Sequence, residues 1–183
     1  MHDLYCKARC HRQAGFTMVE LMIVIAVIAI LSAIAVPNII NSLPNYRLKA
    51  AARDMISNFQ KAKMEAVKRN RNVVIEFAPV AYVASGQVGS YKVFVDDGSG
   101  GGTAKDDIQN GSERIVAQVN MPKNVSLCAT TFAGDKTGFN SRALPLKKGS
   151  VKIRNNKSRY YKTSLSFAGN VKLRMSSDGA TWN

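Results

Sequence analysis

At 183 residues the chain has room for one domain plus an anchor or tail, which excludes two ordinary domains. Apolar residues make up 46% of it but crowd near the N-terminus, and 26 Lys+Arg against 12 Asp+Glu give a formal net charge of +14. Such an excess favours anionic partners (lipid headgroups, nucleic acid or acidic proteins) without choosing among them.

Residues 1–15 are short and basic, with Lys7, Arg9 and Arg12 against Asp3. Cys6 and Cys10 also lie here, so removal of this stretch would leave Cys128 alone and exclude an intrachain disulfide. Cys6, Cys10 and His11 can be read as metal ligands, but a fourth ligand and a folded context are missing. No metal or cofactor is therefore expected.

From Leu21 to Val36 there is no charge, and Ser32 is the only polar side chain. Extended to Ile40 the run is twenty residues, roughly 30 Å as a helix, the thickness of a bilayer hydrocarbon core. Basic residues ahead of it predict a cytoplasmic N-terminus and an exported C-terminal domain. A cleaved secretory signal is the competing reading. Its cut should follow the run after small residues, which Val36-Pro37-Asn38 fits poorly and Ser32-Ala33-Ile34-Ala35 somewhat better.

Glu20 breaks the apolar pattern, four positions after Phe16. A carboxylate in the membrane costs roughly 2.5–3.5 kcal/mol on insertion scales. Either it sits at the interface just outside the hydrocarbon, or it meets a cation at its own depth.

Gly15-Phe16-Thr17-Met18-Val19-Glu20-Leu21-Met22-Ile23-Val24 resembles the class III signal of type IV prepilins and type II secretion pseudopilins. Leader charge, Gly-Phe junction, Glu placement and helix length all agree with that family. The resemblance implies that a membrane prepilin peptidase cuts between Gly15 and Phe16 and methylates the new Phe16 amine. It further implies that Glu20 pairs with the Phe16 amine of a neighbouring subunit, offsetting two charges that would each be costly alone. Pro37 matches a position where many pilins kink. Other pilins or pseudopilins and an inner-membrane assembly platform are the implied partners. The implied location is a single pass through the bacterial inner membrane with a periplasmic domain, then the filament.

Pro37 and Pro44 predict a kink or a locally melted turn in a helix that otherwise continues to about Arg71. From Leu48 the apolar positions Leu48, Ala52, Met55, Phe59, Ala62 and Ala66 mark one face of an amphipathic helix. Arg47, Lys49, Arg53, Lys61, Lys63, Lys68 and Arg69 occupy the other. The stripe reads as core packing against a sheet.

Past Arg71 the period drops to about two, predicting strands over 73–77, 91–95, 114–119, 125–129, 150–154, 160–167 and 170–175. Ala168-Gly169-Asn170 should turn the last two into a hairpin, and Cys128 reads as a small buried hydrophobe. The expected organisation is a leader over 1–15, a transmembrane or filament-core helix over 16–40, an amphipathic helix over 41–71 and a β-rich domain over 72–183. The fold class is α+β, a long N-terminal helix packed on a mostly antiparallel sheet. This domain resembles the GspH/FimT group of minor pilins and pseudopilins through Asn72-Val73-Val74-Ile75, Phe94-Val95-Asp96-Asp97 and the hairpin at Gly169.

Asp96, Asp97, Asp106 and Asp107 stand among glycines at 98 and 100–102, which suggests calcium, yet the spacing is not that of an EF-hand. The glycines also lack the Lys-Ser/Thr of a phosphate-binding loop. Both histidines, His2 and His11, fall in the leader, and no nucleophile motif is visible, so catalysis is not expected.

From Lys136 to Asn183 there are eleven basic residues and one acidic one. Lys172 and Arg174 alternate on one face of a predicted strand and are candidate anion or DNA contacts. Lys147, Lys148, Lys152, Arg154, Lys157, Arg159 and Lys162 extend the patch, with Tyr160 and Tyr161 available to stack on bases. The stretch Gly169-Asn170-Val171-Lys172-Leu173-Arg174 is similar to the Gly-Arg-x-Arg motif of DNA-binding minor pilins, with Asn170 where the first Arg belongs. The bland alternative is a solvated surface or a contact to an acidic partner subunit. The sequence thus reads as a structural filament subunit in an initiating or tip role. Its rivals are a DNA-capturing minor pilin and, more distantly, a secreted basic protein.

Overall fold

A computed structural model describes residues 15–82 and 89–183. Residues 1–14, with Cys6, Cys10 and both histidines, lie outside the described residues. The chain divides into two compact units, Met1–Asn41 and Ser42–Asn183.

In the first unit, residues 18–41 are helical and every side chain from Gly15 to Asn41 is exposed. These belong to α1, Met18–Arg69, which is long and apolar enough near its start to cross a membrane. The melted turn expected at Pro37 and Pro44 is not found: the chain stays helical from 18 to 69. Each proline removes one backbone donor, and the flanking turns keep the helix. Pro44 is moreover buried.

In the second unit, α1 ends at Arg69, two residues earlier than the pattern suggests. Asn70 adopts φ 53°, Asn70 N–H bonds the Val67 carbonyl at 3.2 Å, and Arg71 N–H bonds the Ala66 carbonyl at 3.2 Å. That is a Schellman termination, with Asn in the left-handed position. Every residue of the predicted stripe from Leu48 to Ala66 is buried, joined by Ala51.

Eight strands follow: β1 Asn72–Ala78, β2 Ser90–Asp96, β3 Ile115–Asn120, β4 Val125–Thr130, β5 Lys136–Phe139, β6 Gly149–Asn155, β7 Tyr160–Leu165 and β8 Val171–Ser176. They form two four-stranded sheets, β3-β2-β1-β5 and β4-β6-β7-β8, with antiparallel pairing throughout. The domain is thus α+β as expected, with its strands divided between two sheets. One apolar cluster joins the helix stripe to inward residues of both: Val73, Ile75, Phe77 and Val93 from the first, Leu127, Val151, Ile153 and Leu165 from the second. Phe59 centres it, 6.2 Å from Phe77 and 6.5 Å from Phe139 between ring centroids. A buried polar tie adds direction, Asn58 Nδ2 donating to the Tyr91 hydroxyl at 2.7 Å. Burial, partly opposed by that bond, raises the Tyr91 pKa.

Two expectations need correction. β5 was not foreseen; Gly138 lies so close to β1 that any Cβ there would collide with the Val73 carbonyl oxygen. Cys128 is only half-buried, because the β4–β6 register shifts between Leu127 and Ala129 and takes it off the inward alternation. Its Sγ lies 3.4 Å from the Lys152 carbonyl oxygen, and burial pushes the thiol pKa up.

The Asp97–Arg114 loop is organised from within. Glu113, 3% exposed, accepts N–H bonds from Asp97 (3.1 Å), Gly98 (2.8 Å) and Asn110 (2.9 Å). Asp96 accepts from Lys105 and Asp107. Burial raises the Asp96 pKa against those two amides. Of the carboxylates that suggested calcium, Asp96, Asp97 and Asp106 are engaged by the loop's own backbone amides, and Asp107 pairs with Lys147 Nζ at 3.0 Å. Among the described residues no group of three or more His, Cys, Asp or Glu is placed to hold a metal ion.

Candidate assembly motif and basic sheet face

The helix start is built by Thr17. Residues 15–17 are non-helical, α1 begins at Met18, and the Glu20 N–H donates to Thr17 Oγ1 at 3.1 Å. Leu21 N–H bonds the Thr17 carbonyl at 3.1 Å, the first turn of the helix. Thr17 is thus the N-cap and Glu20 stands at the third helical position, the spacing of a capping box. Thr17 was missed as a functional residue, although the Thr-x-x-Glu spacing just ahead of an apolar run is the signal that finds it. The Glu20 carboxylate is exposed and has no ion-pair partner among the described residues. Gly15 and Phe16 precede the helix as an exposed, non-helical entry, and among the described residues nothing lies within 4 Å of a Cβ built on Gly15. Pro37 sits within the helical apolar run.

The other predicted residues, Lys172 and Arg174, lie on β8 and are both exposed. Gly169, at φ +75°, closes the β7–β8 hairpin as expected, with Gly169 N–H bonded to the Ser166 carbonyl and Ser166 N–H to that of Asn170. Strand pairing then does what spacing alone cannot. Lys152 of β6 stands opposite Lys162 of β7, and Lys162 opposite Arg174 of β8. Three cations from three strands form one row. Partial burial, then the charges of Arg174 and Lys152, hold Lys162 below the ordinary lysine pKa.

The C-terminus reaches the same face. Met175 and Asn183 exchange both backbone hydrogen bonds at 3.1 Å, and the turn between them is tied by Asp178, whose carboxylate accepts from Ser176, Ala180 and Thr181. Those bonds, the Ser176 hydroxyl foremost, hold the Asp178 pKa far below the usual range. This fold-back lays Trp182 over Lys162 and Lys152, with Nζ 4.2 and 5.5 Å from the ring centroid. Trp182 was also missed; a lone tryptophan three residues past Gly179 carries no period to place it.

Comparison with known proteins gives two family matches. The model described as the prokaryotic N-terminal methylation motif matches residues 10–36, and that of the type II transport protein GspH matches residues 51–169. The prepilin peptidase-dependent protein D of Escherichia coli (strain K12) is 52% identical over 48 residues, 26% of this chain and 30% of that protein. The matched segment spans under a third of that relative's length. No solved structure gives a significant match. With more than half of its length matched by one family and the methylation motif at the head of an exposed apolar helix, the chain belongs to the GspH family of pilin-like type II transport proteins.

Proposed function

We propose that this chain is a minor pilin or pseudopilin, cut by a prepilin peptidase between Gly15 and Phe16, methylated on the Phe16 amine, and built into a filament in an initiating or tip position. The machine is a type IV pilus or a type II secretion pseudopilus. Before assembly the chain spans the inner membrane once, with residues 42–183 in the periplasm.

The observation that carries this reading is the Glu20 carboxylate at the head of the otherwise uncharged, wholly exposed helical segment 18–41. A membrane or a bundle of like helices must cover those side chains. Once they are covered, the carboxylate needs a cation at its own depth. The Phe16 amine of a neighbouring subunit supplies one. Pro37, which cannot donate to the carbonyl one turn back, gives the anchor a place to bend as the subunit leaves the membrane.

Mass spectrometry of the N-terminus from cells with and without the peptidase tests the proposal. A chain beginning at methylated Phe16, dependent on the peptidase, supports it. A chain beginning near Pro37 overturns it.

A second reading, capture of DNA by the periplasmic domain, is favoured by the Lys152–Lys162–Arg174 row with Lys172 beside it. It expects salt-dependent DNA binding that weakens when Lys172 and Arg174 become alanine. Absence of binding at low salt sinks it.

A further inference from the structure

The outer face of β6-β7-β8 is a grid of nine positions in three rows: Arg154–Tyr160–Ser176, Lys152–Lys162–Arg174 and Ser150–Ser164–Lys172. Between them along the strands, Val151, Ile153, Thr163 and Leu165 point inward and are buried, so the grid faces out, with Ser176 covered by the Asp178–Gly179 turn. It carries five cations and no carboxylate. Like charges directly opposite one another on neighbouring strands destabilise a sheet. The fold offsets this with aromatic rings in place of acids. Lys152 and Lys162 lie against Trp182, and the Arg154 guanidinium lies 4.2 Å from the Tyr82 ring centroid and 5.2 Å from that of Tyr160. Arg154 Nε has no hydrogen-bond partner among the described residues.

We propose that this face binds single-stranded nucleic acid, with the Lys152–Lys162–Arg174 row on the phosphates and Trp182 stacked on a base. The proposal refines the DNA-capture reading and rests on it. Five cations with no ion-pair partner among the described residues call for a polyanion, and interleaved aromatic rings choose which one. A lipid headgroup offers no planar ring for Trp182 to stack on, and an acidic protein surface does not repeat one beside each negative charge. A duplex keeps its base faces turned toward each other. Only splayed bases present both a phosphate chain and a free π-face. Trp182 is placed by the fold, since the Met175–Asn183 bond pair and the Asp178 turn hold the tail that carries it.

Trp182 is the chain's only tryptophan, so intrinsic fluorescence reports this site alone. The full chain in zwitterionic detergent is titrated with an oligothymidylate of about twelve nucleotides, a hairpin duplex of equal charge, polyglutamate and anionic lipid vesicles. The oligothymidylate should shift Trp182 emission and bind roughly tenfold more tightly than the duplex. By anisotropy of a labelled strand, Trp182→Leu should lose that advantage, Trp182→Phe should keep most of it, and K152Q/K162Q should flatten the salt dependence. Equal binding of strand and duplex, unmoved by Trp182→Leu, overturns the stacking site and leaves DNA capture standing. No nucleic-acid binding, or a shift of Trp182 emission by polyglutamate or vesicles as large as that by the oligonucleotide, overturns both.

Discussion

Thr17 caps the long helix through the backbone amide of Glu20, 3.1 Å from its hydroxyl oxygen, and the Glu20 carboxylate has no ion-pair partner among the described residues. Cap and acid therefore do separate jobs three residues apart. Glu20→Leu should leave cleavage after Gly15 intact and cut incorporation into sheared filaments by at least about tenfold, a 1.4 kcal/mol effect that an unpaired buried charge readily exceeds. Thr17→Ala removes a cap worth about 1 kcal/mol, so incorporation should fall by about fivefold, and Thr17→Ser should restore it. Immunoblots of filament and membrane fractions decide both. Wild-type incorporation of Glu20→Leu would refute the pairing with the neighbouring amine.

Phe59 is the joint between helix and sheets, fully buried between Phe77 and Phe139. Phe59→Ala should cost about 3–5 kcal/mol, the range for emptying a large aromatic site. Phe59→Leu should cost far less. Urea unfolding of the full chain in detergent, followed by circular dichroism, measures the difference. A loss under about 1 kcal/mol for the alanine variant would show that the stripe does not hold the domain together.

Those elements were also the legible ones. The spacing from Leu48 to Ala66 fixes a helix face because 3.6-residue periodicity is local, and seven of the eight strands show their period of two. β5 did not, since its four residues include Lys136 and Gly138 and owe their strand to a close approach to Val73. That approach is tertiary and leaves no period behind. Division into two sheets is a matter of partner choice between distant segments, again invisible along the chain. The N-terminal methylation motif is contiguous and so stands in the sequence itself, apart from the Thr17 cap. Of the basic face, alternation shows that Lys172 and Arg174 share a side. Their alignment with Lys152 and Lys162 exists only once the strands pair, and Trp182 joins them only through the fold-back at Asp178.

Glu76 links three strands of the first sheet. Its carboxylate lies 2.7 Å from Lys92 Nζ and 3.4 Å from Lys136 Nζ. Burial pushes its pKa up, but the hydrogen bond and charge of Lys92, followed by those of Lys136, outweigh burial and hold it below the usual glutamate value. A depressed folded pKa means stability that is present above the unfolded value of about 4.3 and lost as pH falls through the folded one. The pair is partly exposed, so the loss should be no more than about 1 kcal/mol. Urea midpoints at about pH 6 and pH 3 should differ less for Glu76→Gln than for the unsubstituted chain. Identical pH dependence in the two would remove Glu76 as a source of acid sensitivity.

Glu113 holds the acidic loop by three backbone amides, two on one carboxylate oxygen and one on the other. Glu113→Gln keeps an acceptor for Asp97 and Gly98 but turns an amide donor toward the Asn110 N–H. One buried donor is then unsatisfied, at a cost of about 1–3 kcal/mol. The loss should stay local, because Val73 and Ile75 of β1 belong to the apolar cluster and Glu113 does not. Hydrogen exchange should therefore quicken at Asp97, Gly98 and Asn110 by roughly tenfold or more, with the β1 amides unchanged. Glu113→Ala, which removes all three acceptors, should quicken the same amides further. Were exchange to rise equally in β1, Glu113 would be a support of the whole domain, and the loop would have no independent fold to lose.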